Sequence, residues 1–300
     1  MKMINFTKFK NLYLLISAIL IFFSIFSLIK FGLNLGIDFT GGSSLEIEFL
    51  NERPPLNEIK KSLSKIDLGE FYLRGVGKNG IILEIEKKNI NPDLKDKILK
   101  EIEKFGKIKN PKETFHFKSI SPTIGKELTQ KAKIFVFLSV LSILIYIAFA
   151  FFKLKKPISF WQCALISILA LFHDILIPLG LLSFLKIPIN IPIVVALLTI
   201  LGYSINNTVV VFDRVRENLL KERKSKFEDT INLSLCQVLT RSLNTSLTTL
   251  FVLISIFFFG GETLKYFALT LILGIIAGTY SSLFLVTSLS IEWAKWRQNF

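Results

Sequence analysis

Cysteine is nearly missing from this chain of 300 residues, Cys163 and Cys236 being the two it has. One falls in an apolar run and the other in a predicted cytoplasmic loop, so neither a disulfide framework nor a thiolate metal site is expected. The GxxxxGK[ST] loop is absent, which argues against ATP hydrolysis. No Ser-His-Asp, His-Glu-x-x-His or Cys-x-x-Cys pattern occurs either. The expectation is a non-enzyme with no cofactor and no metal, drawing any energy it uses from an ion gradient. Acidic residues are scarce where the chain is apolar, and Asp174 is the only one placed well inside such a run. The first apolar run, LYLLISAILIFFSIFSLI, exceeds the roughly 7–15 residues of a signal-peptide core and no small-residue cleavage site follows it. It is read as a retained helix.

Apolar length is what the chain has in abundance. Hydrophobic residues make up 51% of it and Phe alone fills 29 positions, against about 45–50% apolar in soluble domains even with glycine counted. Windows of about 20 apolar residues, enough to cross the hydrocarbon core, fall near 12–31, 131–152, 160–184, 189–211, 240–260 and 265–291. The expected fold is therefore a membrane α-helical bundle of six transmembrane helices. A small α+β, ferredoxin-like extracytoplasmic domain is expected between helices one and two.

The formal net charge of +14 is unevenly spread. Between Leu33 and Gln130 there are 17 Lys and Arg against 15 Asp and Glu, a balance of +2, so +12 sits around the spans. Lys2, Lys8 and Lys10 precede helix one, and Lys153, Lys155 and Lys156 follow helix two. Arg214, Arg216, Lys221, Arg223, Lys224 and Lys226 follow helix four, and Lys295 and Arg297 follow helix six. Six crossings put all four clusters on one side. Short Lys/Arg-rich loops stay cytoplasmic, which predicts cytoplasmic termini and an external 33–130 region. Nucleic acid is not an expected partner. The expected parts are a cytoplasmic N-terminus (1–11), helix one (12–31), the external domain (32–130) and helices two to six (131–300) with a basic cytoplasmic loop near 212–239.

Within the external region the hydrophobic period alternates. GSSLEIEFL (42–50) has strand periodicity, and PPLNEIKKSLSKI (54–66) has apolar residues at helical spacing after its prolines. FYLRGVG and GIILEIEKK read as strands joined at Lys78-Asn79-Gly80, with Asn-Gly supplying the positive-φ residues. NPDLKDKILKEIEKFG (91–106) reads as an amphipathic helix capped by Asn91, and TFHFKSI as a last strand. The order β-α-β-β-α-β is the ferredoxin-like arrangement. His116 lies on the last of these strands without companion ligands, so a solvent-facing position is expected for it.

Polar residues inside the apolar windows are the candidates for function. In helix four, Gly202 and Ser204 permit close approach to a neighbour, while Asn206 and Asn207 either bond across helices or line a path. In helix five, Arg241, Thr245, Thr248 and Thr249 share a face. Arg241 either snorkels to the headgroups or fixes carboxylates and water. Helix three carries His173-Asp174, where Asp174 is either part of a proton relay or a structural bond to another helix, and His173 points about 100° away from it. Gly274 and Gly278 form a small-xxx-small pair suited to packing. Asp213, beside Arg214 and Arg216, reads as an interfacial ion pair.

Four motifs, in order along nearly the whole chain, resemble the SecF family of protein translocase subunits. They are GIDFTGG (36–42), LGYSINNTVVVFDRVREN (201–218), RSLNTSLTT (241–249) and GGETL (260–264) followed by Phe267-Ala268-Leu269. The His173-Asp174 pair is similar to that family too. The resemblance implies a place in the resistance-nodulation-division superfamily, pairing with SecD, and assistance to the SecYEG channel. It further implies that an ion gradient, proton or sodium, powers preprotein movement across the bacterial inner membrane. YajC, YidC, unfolded preprotein and membrane lipids are the other partners it implies.

By that resemblance Arg241 matches the arginine serving ion passage, with Asp174, Asn206, Asn207 and Thr245 as companion candidates. Gly36, Asp38, Gly41, Gly42, Gly202 and Gly261 match motif positions, and GIDFTGG matches a hinge-like strand. The chain departs from the family at Asn207, where Asp is usual, and an amide does not ionise. Three consequences are open: SecD supplies the titrating acid, which is preferred, or Asp174 contributes, or the ion is not a proton. A small-molecule or lipid exporter of the same superfamily and a purely structural scaffold are the competing functions. The small external region disfavours the exporter.

Overall fold

The computed structural model describes residues 5–86, 92–109, 117–151, 159–221 and 226–298. His116, Asn91 and the basic residues Lys2, Lys153, Lys155, Lys156, Arg223 and Lys224 lie outside the described residues. Contacts divide the chain into two units, Met1–Asn34 with Phe135–Phe300, and Leu35–Ile134.

The chain begins with α1 (Lys10–Phe31), which Gly32 ends at φ +71°. In the unit Leu35–Ile134 a single helical turn, α2 (Ile37–Thr40), comes first. It is followed by β1 (Gly42–Glu48), α3 (Leu56–Leu63), β2 (Phe71–Val76), β3 (Gly80–Glu86), α4 (Pro92–Glu103) and β4 (Phe117–Ile120). The strands form one antiparallel sheet in the order β2-β3-β1-β4, the arrangement expected from the sequence. Period-2 alternation decides which face is covered. Leu45, Ile47, Ile81, Leu83 and Ile85 point to one side and bury against Ile59 and Leu63 of α3 and Ile98 and Ile102 of α4. The opposite face is polar, carrying Tyr72, Arg74, Ser44, Glu84 and Lys118.

The hairpin turn corrects the expected chemistry. Gly77, at φ +55°, takes the left-handed conformation, and neither Asn79 nor Gly80 has positive φ. Glycine has no Cβ to clash there, so the left-handed position falls on Gly77 without strain and Asn79 is spared it.

Six long apolar helices follow the expected spans. They are α1, α5 (Pro122–Phe151), α6 (Phe160–Phe184), α7 (Ile191–Lys221), α8 (Phe227–Phe259), and a last span of α9 (Glu262–Tyr280), a π-helical turn (Ser281–Leu285) and α10 (Val286–Gln298). At 31 and 33 residues, α7 and α8 are about 45–50 Å long and overrun a hydrocarbon core of about 30 Å. The charged stretch near 212–239, expected as a cytoplasmic loop with a helical segment, is helix to Lys221 and again from Phe227, and Cys236 lies in α8 rather than in a loop. Its charges pair along the helix surface: Arg216–Asp213 at 2.7 Å, Lys221–Glu217 at 2.6 Å, and Arg214 with Glu217.

Burial separates an inner from an outer layer. The last span and α6 are mostly inside the bundle, whereas α5, α8 and α1 leave most of their apolar surface uncovered, as lipid-facing helices do. Lipid tails are as apolar as leucine, so small residues set how closely helices approach. A Cβ on Gly180 of α6 would lie 2.5 Å from the Ser24 Cα of α1, a backbone-to-backbone crossing. Gly274 and Gly278 of α9 instead make room for the Ile200 and Ser204 side chains of α7, a packing role as expected of that pair. At one end of the bundle, Lys10 bonds Glu292 at 2.6 Å and Glu228 at 3.3 Å, and Lys295 bonds Glu228 at 2.7 Å.

Candidate functional site

Asp174 and His173, at mid-length on α6, have no exposed surface. Gly278 leaves room for the Asp174 carboxylate, the nearest approach of a Cβ there being 3.5 Å from Oδ2. Ser204 of α7 and Ser281, first residue of the π-helical turn, both donate to Oδ2, the latter at 2.8 Å. His173 Nδ1 lies 2.9 Å from Oδ1. The neighbours are thus not divergent as their 100° offset suggested, because the short Asp174 side chain turns back to the ring. The imidazole stacks on Tyr280 with centroids 6.1 Å apart. The Tyr280 hydroxyl donates to the Tyr13 carbonyl at 2.6 Å and accepts from Ser17 at 3.4 Å, both in α1.

A second polar layer lies between α7, α8 and α9. Tyr203 donates to Ser246 at 2.9 Å, and Ser246 meets Thr279 at 2.6 Å. The helices α7 and α8 run in opposite directions, so the residues one turn along, Asn207 and Ser242, come level with each other. Both are buried, and Asn207 Nδ2 and Ser242 Oγ have no hydrogen-bond partner among the described residues. Each such atom costs about 1–3 kcal/mol unless something polar reaches it.

The helix-five stripe lies elsewhere. Arg241, Asn244, Thr245 and Thr248 are exposed on α8, as are Asn206 and Gly202 on α7. The threonines bond back to their own helix, Thr245 to the Arg241 carbonyl at 2.9 Å and Thr248 to that of Asn244 at 3.0 Å. Open space surrounds Gly202, so its expected close approach is to no helix of the described chain. Gly261, at the start of α9, is likewise open. Asn207 therefore faces inward and Asn206 outward, and Asp174 and Arg241 are not brought together.

In the other unit, the GIDFTGG segment is not a strand. Phe39 and Thr40 amides bond the Gly36 carbonyl at 3.0 and 3.2 Å, closing the turn α2, and positive φ at Gly41 and Gly42 releases the chain into β1. Asp38 is buried on the polar face of the sheet and pairs with Lys118 at 2.6 Å. Glu84 pairs with Arg74 at 2.8 Å. Burial pushes the Glu84 carboxyl above the ordinary glutamate range, with Asp38 adding to the rise and Arg74 opposing it. A Cβ on Gly41 would lie 2.7 Å from Pro122, and one on Gly125 2.7 Å from the Phe39 carbonyl, so motif and α5 start are locked by glycine contacts.

Sequence reasoning singled out Ser204 only as a small residue, and did not identify Ser281, Tyr280, Tyr203, Ser246 or Thr279. Their signal was hydroxyls at helical spacing in apolar runs, weak because most such hydroxyls only bond their own helix.

Six apolar spans, polar groups buried between them and a small α+β unit between the first two define a multi-pass membrane protein. Residues 100–296 match the family described as protein export membrane protein SecD/SecF, C-terminal, and residues 26–49 match the SecD/SecF GG motif. Protein translocase subunit SecF of Thermobaculum terrenum is 35% identical, the match covering 97% of this chain and 94% of that protein. The SecF of Vibrio alginolyticus is 36% identical over 97% and 90%. The crystal structure of SecDF, a translocon-associated membrane protein from Thermus thermophilus, matches with a TM-score of 0.84 at 29% identity. That match covers 97% of this chain and 38% of that one, so the chain spans well under half of the SecDF polypeptide. The chain belongs to the SecD/SecF protein-export family, in its SecF branch. It is a non-catalytic protein-export component and not a small-molecule or lipid exporter.

Proposed function

We propose that this chain works as the SecF half of a SecD–SecF pair that turns an ion gradient into movement of the external unit, assisting preproteins through the SecYEG channel. The observation that carries this reading is the polar face exposed on α7 and α8: Asn206, Arg241, Asn244, Thr245 and Thr248. A cation at membrane depth costs about 3 kcal/mol against lipid, which favours a protein companion over acyl chains as its neighbour. The helices of SecD are that companion, and Gly202 gives them room to approach. Asn207 cannot exchange a proton, so SecD contributes a titrating acid at this face while Arg241 holds anionic groups and water.

The Lys/Arg clusters support an inner-membrane orientation with both termini cytoplasmic. The external unit, residues 32–130 by the sequence reading, then faces the emerging preprotein, and YajC and YidC join as accessory chains among the membrane lipids. The test is secretion by cells carrying Arg241→Ala at wild-type protein level. Export falls about tenfold, the size of a coupling free energy between linked sites. Unchanged export at matched expression removes Arg241 from the path.

A further inference from the structure

The His173–Asp174 pair is the most completely buried titratable group in the bundle and nothing in the exposed α7–α8 face uses it. Its donor and acceptor balance is unequal. Three donors converge on the carboxylate: Ser204 from α7, Ser281 from the π-helical turn, and the His173 ring through Nδ1. A carboxylate so surrounded is an acceptor only, which fixes the proton of a neutral imidazole on Nδ1. The other nitrogen, Nε2, is then a lone pair with no hydrogen-bond partner among the described residues. Tyr280 covers the ring by stacking and directs its own hydroxyl to α1. Among the described residues no Lys, Arg or Glu forms an ion pair with either member. The groups packed against the pair are the hydroxyls of Ser204 and Ser281 and the Tyr280 ring, with Tyr13 and Ser17 reached through Tyr280.

We propose that His173 and Asp174 form a buried proton-binding site, at which His173 Nε2 takes up one proton per cycle. The bond formed is Nε2–H, and the bond broken is an O–H of a hydrated proton arriving through water, with no other reactant. Before uptake the pocket holds one negative charge; afterwards imidazolium and carboxylate cancel. Two titratable groups in contact act as one unit, so the uptake belongs to the pair. A neutralised pair draws less strongly on Ser204 and Ser281, and so loosens the seam joining α6 to α7 and to the π-helical turn. Wide π turns of this kind recur at functional sites. The proposal rests on the ion-coupled reading above and specifies that the ion inside this chain is a proton.

Only two histidines occur in the chain, which makes the test direct. The full chain is labelled with [15N]histidine, placed in lipid nanodiscs and titrated by NMR, with His116→Gln assigning the His173 signals. At alkaline pH His173 shows a protonated Nδ1 and a bare Nε2, and Nε2 gains its proton as the pH is lowered. Ser281→Ala removes a donor that stabilises the anion, so proton affinity rises about threefold to tenfold and the midpoint moves to higher pH. A ring that carries its proton on Nε2 throughout, or that takes up no second proton on acidification of the folded protein, overturns the proposal. So does a midpoint unmoved by Ser281→Ala in a folded protein. Gradient-driven export that persists with a non-titrating ring leaves the α7–α8 reading standing. Loss of gradient dependence with the titration intact overturns that reading and with it the uptake of one proton per cycle, while the buried proton-binding site itself stands.

Discussion

Two acids, Asp38 and Glu84, lie on the polar face of the four-stranded sheet. Glu84 is desolvated enough that its folded proton affinity exceeds the ordinary glutamate value. A raised acid stabilises the fold fully below its unfolded pKa and loses that contribution as pH climbs through the folded one. The unit Leu35–Ile134 should accordingly lose hydrogen-exchange protection from mildly acidic toward neutral pH, and Glu84→Gln should flatten that dependence. A dependence as steep in the variant as in the wild type assigns it to another group. Asp38 has Lys118 as its ammonium partner, and that lysine is 58% exposed. Lys118→Ala should cost about 1 kcal/mol in thermal unfolding, near the upper end for a solvated pair, because the carboxylate left behind is buried.

At the scale of helices, glycine positions make graded predictions. Gly180→Ala drives a Cβ into the α1 backbone at Ser24 and should destabilise the bundle by about 1–3 kcal/mol. Gly274→Ala meets only the side chain of Ile200, whose tip can rotate, and should cost less. Gly202→Ala meets open space and should be neutral or mildly stabilising, alanine being favoured over glycine in helices by about 1 kcal/mol. Denaturant unfolding in micelles ranks the three, and a Gly202→Ala loss as large as that of Gly180→Ala contradicts the assignment of contacts.

The same scale shows why some elements were legible in the sequence and others were not. Spans and strands announce themselves by period, so GSSLEIEFL and GIILEIEKK were legible as strands. Whether Asp213–Lys221 continues α7 cannot be read from charge alone, since a solvated helix and a loop have similar composition. Convergence of Ser204, Ser281 and His173 on Asp174 depends on which helices neighbour one another, information that no single helix carries. GIDFTGG matched a hinge-like strand by resemblance, and the Phe39 and Thr40 amides on the Gly36 carbonyl make it a turn instead.

For the whole molecule, the exposed side of α7 and α8 predicts assembly. Asn206→Leu makes that face greasier without touching the buried layers. It should lower co-purification with SecD about tenfold, a loss of about 1.4 kcal/mol in association, while the chain remains folded in micelles. Retention of SecD at the wild-type ratio would move the companion to another face.

The glycine contacts between the GG segment and the start of α5 bear on motion. Gly41 sits on Pro122 and Gly125 on Phe39, so the polypeptide enters and leaves the external lobe through one clasp. A push delivered along either strand of that clasp is felt at both. Bulk introduced at Gly41 or Gly125 would prise the clasp open and free the two ends of the unit from each other.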